Sequence, residues 1–92
     1  MYPRILQRMR KCVKQNWIIT TIHALEEMDA DDLLKADLEH CILHGEIVAR
    51  QWDDDYQEYK YLVDGVTLSG EEIEVVARLR GDRAIIITAY LQ

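Results

Sequence analysis

At Gly45-Glu46 the hydrophobic pattern changes period, and that switch limits what the chain can fold into. Before it, apolar residues recur at helical spacing: Ile5, Leu6, Met9, Cys12 and Val13 form one stripe, and Leu34, Leu38, Cys41 and Ile42 another. After it they alternate, with Ile73, Val75, Ala77 and Leu79 interleaved by Glu74, Val76, Arg78 and Arg80. Helices first and strands afterwards is the α+β order, with the N-terminal helices packed on one face of a sheet. The spacing predicts a helix from Pro3 to about Gln15, with Pro3 in the first turn, where its missing N–H costs nothing. Trp17-Ile18-Ile19-Thr20 is too short for a helix and suits a short strand or an extended connector. Thr20 or Thr21 can cap a helix over about Ile22 to Met28. Asp31 or Asp32 can cap another that runs to His44 and is closed by Gly45. A four-stranded antiparallel sheet is expected next: Glu46 to Trp52, Tyr56 or Glu58 to Val63, Ile73 to Arg80, and Ala84 to Leu91. Asp53-Asp54-Asp55 reads as a solvated turn, Gly81-Asp82-Arg83 as a second turn, and Asp64-Gly65 and Ser69-Gly70 bracket a loop.

Ninety-two residues make one domain, here a basic helix (1–15), a short strand and helices (16–45) and a sheet (46–92). No apolar run approaches the roughly 20 residues of a membrane-spanning helix, and no apolar leader opens the chain. A soluble, cytoplasmic protein is expected, with no membrane contact. Cys12 and Cys41 lack CxxC spacing and read as buried, reduced thiols. Charge is lopsided: Arg4, Arg8, Arg10, Lys11 and Lys14 give the first fifteen residues +5. In the remainder six cations stand against seventeen acids, −11, so the whole carries −6. Such an asymmetry suggests contact with a polyanion, docking of the basic arm on the acidic body, or both.

The last hairpin carries the first candidate chemistry. If Arg80 pairs with Ala84 across a three-residue turn, Arg78 faces Ile86, Val76 faces Thr88 and Glu74 faces Tyr90 on one polar side. The other side, Ile73, Val75, Ala77, Leu79, Ile85, Ile87, Ala89 and Leu91, is apolar and should lie under the helices. A face with Arg78, Thr88 and Tyr90 is either solvated surface or a concave site. His23, in a first helical turn, is either a general acid/base or an exposed polar residue. His40 and His44 are spaced i, i+4, but two ligands do not make a metal site. The Asp29 to Asp32 run fails as a calcium loop, with Leu34 where Gly is required and His40 where Glu is required. No metal or cofactor is expected, and no GxSxG, Walker or Rossmann pattern is present.

Thr20-Thr21-Ile22-His23-Ala24-Leu25-Glu26-Glu27-Met28, Leu38 to Ile47, Tyr61-Leu62-Val63-Asp64-Gly65 and Ile86-Ile87-Thr88-Ala89-Tyr90 follow one another in a recognisable order. From about Trp17 onward the chain resembles a small bacterial family, domain of unknown function 4258. That family is similar to the RelE/MqsR-like superfamily of ribonuclease toxins, and the basic helix resembles the first helix of MqsR-type toxins. The resemblance implies a type II toxin that inhibits translation by metal-independent RNA cleavage, a ribose 2′-hydroxyl attacking the adjacent phosphate. Carried over by position, His23 would be the acid or base, Arg78 or Arg50 the phosphate clamp, and Tyr90 with Thr88 the orienting hydroxyls. The implied partners are an RNA (mRNA) substrate and a cognate antitoxin of the zinc-finger MqsA (YgiT) type, in an oligomer with that antitoxin or with itself. Glu27 departs from the family, which commonly has Arg there, and a carboxylate repels a phosphate. The competing expectation is a non-catalytic protein-binding module of the same fold.

Overall fold

Apolar stripes at helical spacing need a flat apolar face to cover them, and the alternating half of the chain supplies it. In a computed structural model describing residues 1–92, the order is α1 (Pro3–Gln15), β1 (Ile18–Thr20), α2 (Ile22–Ala30), α3 (Lys35–His44), β2 (Glu46–Asp53), β3 (Glu58–Val66), β4 (Glu72–Arg80) and β5 (Arg83–Leu91). The fold is α+β, but the sheet is five-stranded and mixed, in the order β1-β5-β4-β3-β2. The four-stranded antiparallel expectation is corrected by the segment read as a strand or connector: β1 pairs in parallel with β5, Ile18 opposite Ala84 and Thr20 opposite Ile86. Asn16 ends α1 in a left-handed turn (φ 59°), and this brings the β-branched run back along β5.

Leu6, Met9 and Val13 of α1, Met28 of α2, and Leu38, Cys41 and Ile42 of α3 meet Ile47, Val63, Ile73, Val75, Ala77, Ile86 and Ala89 in one core. Arginine carbonyl contacts fix α1 on the body. Arg10 donates to the carbonyls of Ile42 (3.1 Å) and Gly45 (2.9 Å), and Arg8 to that of Gly81 (3.1 Å).

Several boundaries differ from expectation. Thr21 caps α2, accepting from the Ala24 N–H at 3.2 Å, but neither Asp31 nor Asp32 caps α3. Leu34 holds that position, and the Asp37 carboxylate accepts its N–H at 2.9 Å. Asp31 ends α2 and Asp32 takes a left-handed turn (φ 54°). Asp64 and Gly65 are strand rather than loop, because they pair with Glu74 and Ile73. Gly45 is required by close approach: a Cβ there would lie 2.3 Å from the Asp64 carbonyl oxygen.

The last hairpin turns in two residues, Gly81 (φ 61°) and Asp82, with Arg80 opposite Arg83. Ile87 is then an extra residue, since Val76 pairs with Thr88 but Ala77 with Ile86. Arg78 therefore faces Ile85 rather than Ile86. Ala84 and Ile86, both fully buried, take the core places expected for Ile85 and Ile87.

Candidate functional site

The side of β5 beyond β1 is covered not by a strand but by α2, which turns carboxylates toward it. Glu27 accepts the Thr88 hydroxyl and also the Ala89 N–H at 3.3 Å; Asp31 accepts the Leu91 N–H at 2.9 Å. One helical turn before Glu27, His23 places its Nε2 3.3 Å from the same carboxylate, with its side chain 68% exposed. His23, Glu27 and Thr88 thus form a continuous polar chain at the surface. Tyr90 follows Thr88 on the same face and donates to Glu74 at 2.5 Å; Gln92 donates to the other Glu74 oxygen at 3.2 Å. The Glu74 hydrogen bond, with burial and the carboxylate charge, pushes the Tyr90 phenol up to about 12. Tyr90 therefore keeps its proton at neutral pH and commits it to Glu74. Asp64, opposite Glu74 on β3, is raised by burial and by its hydrogen bond and repulsion with Glu74. This part of the open face is acidic.

Arg78 is elsewhere. Its guanidinium turns toward the β2–β3 hairpin, 3.3 Å from Glu58 and 3.8 Å from Asp53, and lies over the Tyr56 ring at 3.9 Å; its side chain is 8% exposed. Asp53 is thus an ion-pair partner, not part of a solvated turn. Arg80 shares Glu58 at 2.8 Å. Arg50 is on the opposite face: it pairs with Tyr61, which pairs with Ala77 on the core side. There it lies over Tyr59 at 4.1 Å and Tyr2 at 5.2 Å. Of the five candidates, His23, Thr88 and Tyr90 gather along the α2–β5 seam, whereas Arg78 and Arg50 do not join them or each other.

A family model for a domain of unknown function, DUF4258, matches residues 20–91. The chain belongs to this family. No curated protein and no solved structure matches it. All five candidate residues fall inside the DUF4258 span, and α1 falls outside it.

Two hollows mark the surface of this DUF4258 chain, and neither lies on the seam. One, of about 210 Å³, is lined by Arg8, Lys11, Cys12, Trp17, Leu79, Gly81 and Asp82. The other, of about 310 Å³, is lined by Thr20, Leu25, Met28, Asp29, Leu33, Leu34 and Lys35. Burial raises both thiols, Cys41 to about 12 with help from Asp64 and Glu74, so neither is a ready nucleophile. His40 holds its Nδ1 2.9 Å from the Val66 carbonyl, with the His44 ring beside it at 4.6 Å. No three His, Cys, Asp or Glu side chains gather as a ligand set. Sequence reasoning missed Glu58 and Asp53, the carboxylates that occupy Arg78; it singled out Glu27 and set Glu74 opposite Tyr90 without the hydrogen bonds that hold Thr88 and Tyr90 to them. The alternation of β4 already put Glu74 opposite Tyr90, so that pairing was open to reading.

Proposed function

We propose that this chain is the small ribonuclease-type toxin of a two-protein toxin–antitoxin module, cleaving RNA without a metal ion, with His23 as the proton-transferring group. The exposed imidazole 3.3 Å from Glu27 carries the reading. It fills no packing role, and a carboxylate that orients an imidazole is what proton transfer asks of its surroundings. His23 would take the proton of a ribose 2′-hydroxyl, and the oxygen would attack the adjacent phosphorus. The P–O5′ bond would break with water protonating the departing oxygen, giving a 2′,3′-cyclic phosphate and a 5′-hydroxyl while the imidazolium returns its proton to solvent. Thr88, hydrogen-bonded to Glu27, fixes the carboxylate. Arg78 is not assigned the phosphate, because its guanidinium is already neutralised by Glu58 and Asp53. A zinc-finger antitoxin of the MqsA (YgiT) type is the partner this reading carries.

The test is purified protein on end-labelled single-stranded RNA in excess chelator. Cleavage leaving cyclic phosphate ends is expected, with DNA of the same sequence intact, and His23→Ala should lose about 10²–10⁴-fold in rate. Intact RNA, together with healthy growth on induced expression, would end the proposal.

A second reading, a non-catalytic protein-binding module of this fold, is supported by the apolar hollow beside α2. Leu25 and Leu34 there are 53% and 66% exposed, and Ile22 nearby 76%. It predicts that His23→Ala changes nothing in cells, while Leu25→Asp with Leu34→Asp abolishes partner binding.

A further inference from the structure

The proposed reaction leaves the RNA phosphates without a cation at the seam, and α1 carries a row of cations that no carboxylate neutralises. Arg4, Arg8 and Lys11 are spaced i, i+4, i+7, so they share one face of α1, and all three are exposed. None pairs with a carboxylate. The sheet arginines are occupied by contrast: Arg78 and Arg80 by Glu58, Arg83 by Asp82 at 3.7 Å, and Arg50 by Tyr59. Arg8 and Lys11 also line the hollow of about 210 Å³ between α1 and the β4–β5 turn, and the aromatic ring in that hollow is the half-buried Trp17. Asp82, the one acid in the lining, already has Arg83 as its partner.

From this arrangement we infer that single-stranded RNA is held on the basic face of α1, with one base entering the hollow against Trp17 and adjacent phosphates meeting Arg4, Arg8 and Lys11. The inference extends the ribonuclease reading by naming where the substrate is gripped. Cations that follow a backbone beside an aromatic platform are the common means of binding single strands, because every base presents a π-face. The hollow is below the roughly 300 Å³ of cavities that enclose whole small molecules; it suits one ring system with the sugar and phosphates outside. The acidic body confines the footprint to this end of the molecule, so few phosphates are engaged. Three contacts give a slope of log affinity against log salt of about −2.

The experiment measures binding of a fluorescein-labelled, fully 2′-O-methylated single strand, which has no free 2′-hydroxyl and cannot be cut. Saturable binding with a salt slope of about −2 is expected. The Arg4→Ala, Arg8→Ala, Lys11→Ala triple variant removes three exposed charges and, with Arg8, one bond to the Gly81 carbonyl. It and the Arg4→Ala, Lys11→Ala double variant, which keeps that bond, should both retain the wild-type melt, weaken binding, the triple at least tenfold, and flatten the slope. In a Trp52→Phe background the remaining Trp17 fluorescence should be quenched on binding. Trp17→Ala should weaken binding by roughly tenfold, with Trp17→Phe restoring most of it. No binding, unchanged affinity in the triple variant, or equal affinity for the same strand annealed to its complement would each overturn the inference. A wild type that binds this strand through α1 yet leaves ordinary RNA intact sinks the nuclease reading alone. One that cuts RNA as well after the triple substitution sinks this inference alone.

Discussion

Arg78 shows how neighbours decide what a side chain is able to do. A guanidinium 8% exposed has lost most of its water, and Glu58, Asp53 and the Tyr56 face replace it. Removing it strands the Asp53 carboxylate and leaves Glu58 with Arg80 alone. Arg78→Ala is expected to lower stability in urea unfolding by about 2–4 kcal/mol. Arg80→Ala, with a side chain 54% exposed, should lose well under about 1 kcal/mol, and equal losses would refute this ranking. Acid titration separates Glu58 from Asp64. The Arg80 hydrogen bond, joined by Arg78 against partial burial, lowers Glu58 from its ordinary 4.5. The unfolded chain then takes up that proton first, so the stability Glu58 contributes is complete above 4.5 and is lost as pH falls through the lowered value. Asp64 has the opposite sign. Burial and then Glu74 raise it, so its charge opposes folding at neutral pH and ceases to as pH falls through the raised value toward 3.8. Asp64→Asn should raise the urea midpoint at pH 7, with the gain vanishing in acid; a gain independent of pH would rule out titration as its cause.

At the scale of elements, the α2–β5 seam is a helix doing a strand's work. Glu27 and Asp31 accept N–H groups of Ala89 and Leu91 that a neighbouring strand would otherwise take. Glu27→Ala and Asp31→Ala are each expected to lose about 1–2 kcal/mol. Glu27→Ala should speed amide exchange selectively at Ala89, and Asp31→Ala at Leu91; exchange unchanged at both would show that the seam is held by other means. Glu27 thus has a structural task besides any chemical one. The helices and the four longer strands were legible because their periods are long enough to read. The segment Trp17–Thr20 was open to reading as a short strand or a connector, but its place in the sheet was not: Ile18–Thr20 is three residues, too few to show a period, and its partner is distant in sequence. In the last hairpin two misreadings cancelled. The residue assigned to a longer turn belongs at the Ile87 bulge, so Thr88 and Tyr90 were placed opposite Val76 and Glu74 correctly while Arg78 was one residue out. The direction of the Arg78 side chain was illegible, because it depends on the β2–β3 hairpin folding Tyr56 and Asp53 over it.

For the whole molecule, the electrical asymmetry has resolved into architecture: the basic helix is bound to the acidic body through its apolar stripe and through arginines that reach carbonyls, not carboxylates. Although α1 lies outside the family match, Leu6, Met9 and Val13 belong to the core. At about 1.5–3 kcal/mol for each buried side chain, their loss rivals the 5–15 kcal/mol stability of a typical domain. A chain beginning at Trp17 is expected to lack a cooperative thermal transition by circular dichroism, and a sharp melt would show that α1 is dispensable. The two margins of the sheet are also unequal. On one side three residues of β1 and then α2 close off β5; on the other β2 runs for eight residues with no neighbour beyond it. Growth by backbone pairing thus has only one long direction to take. Two molecules joined back to back along β2 would use up that margin in both, so this mode of assembly terminates at a pair and has no path to a fibre.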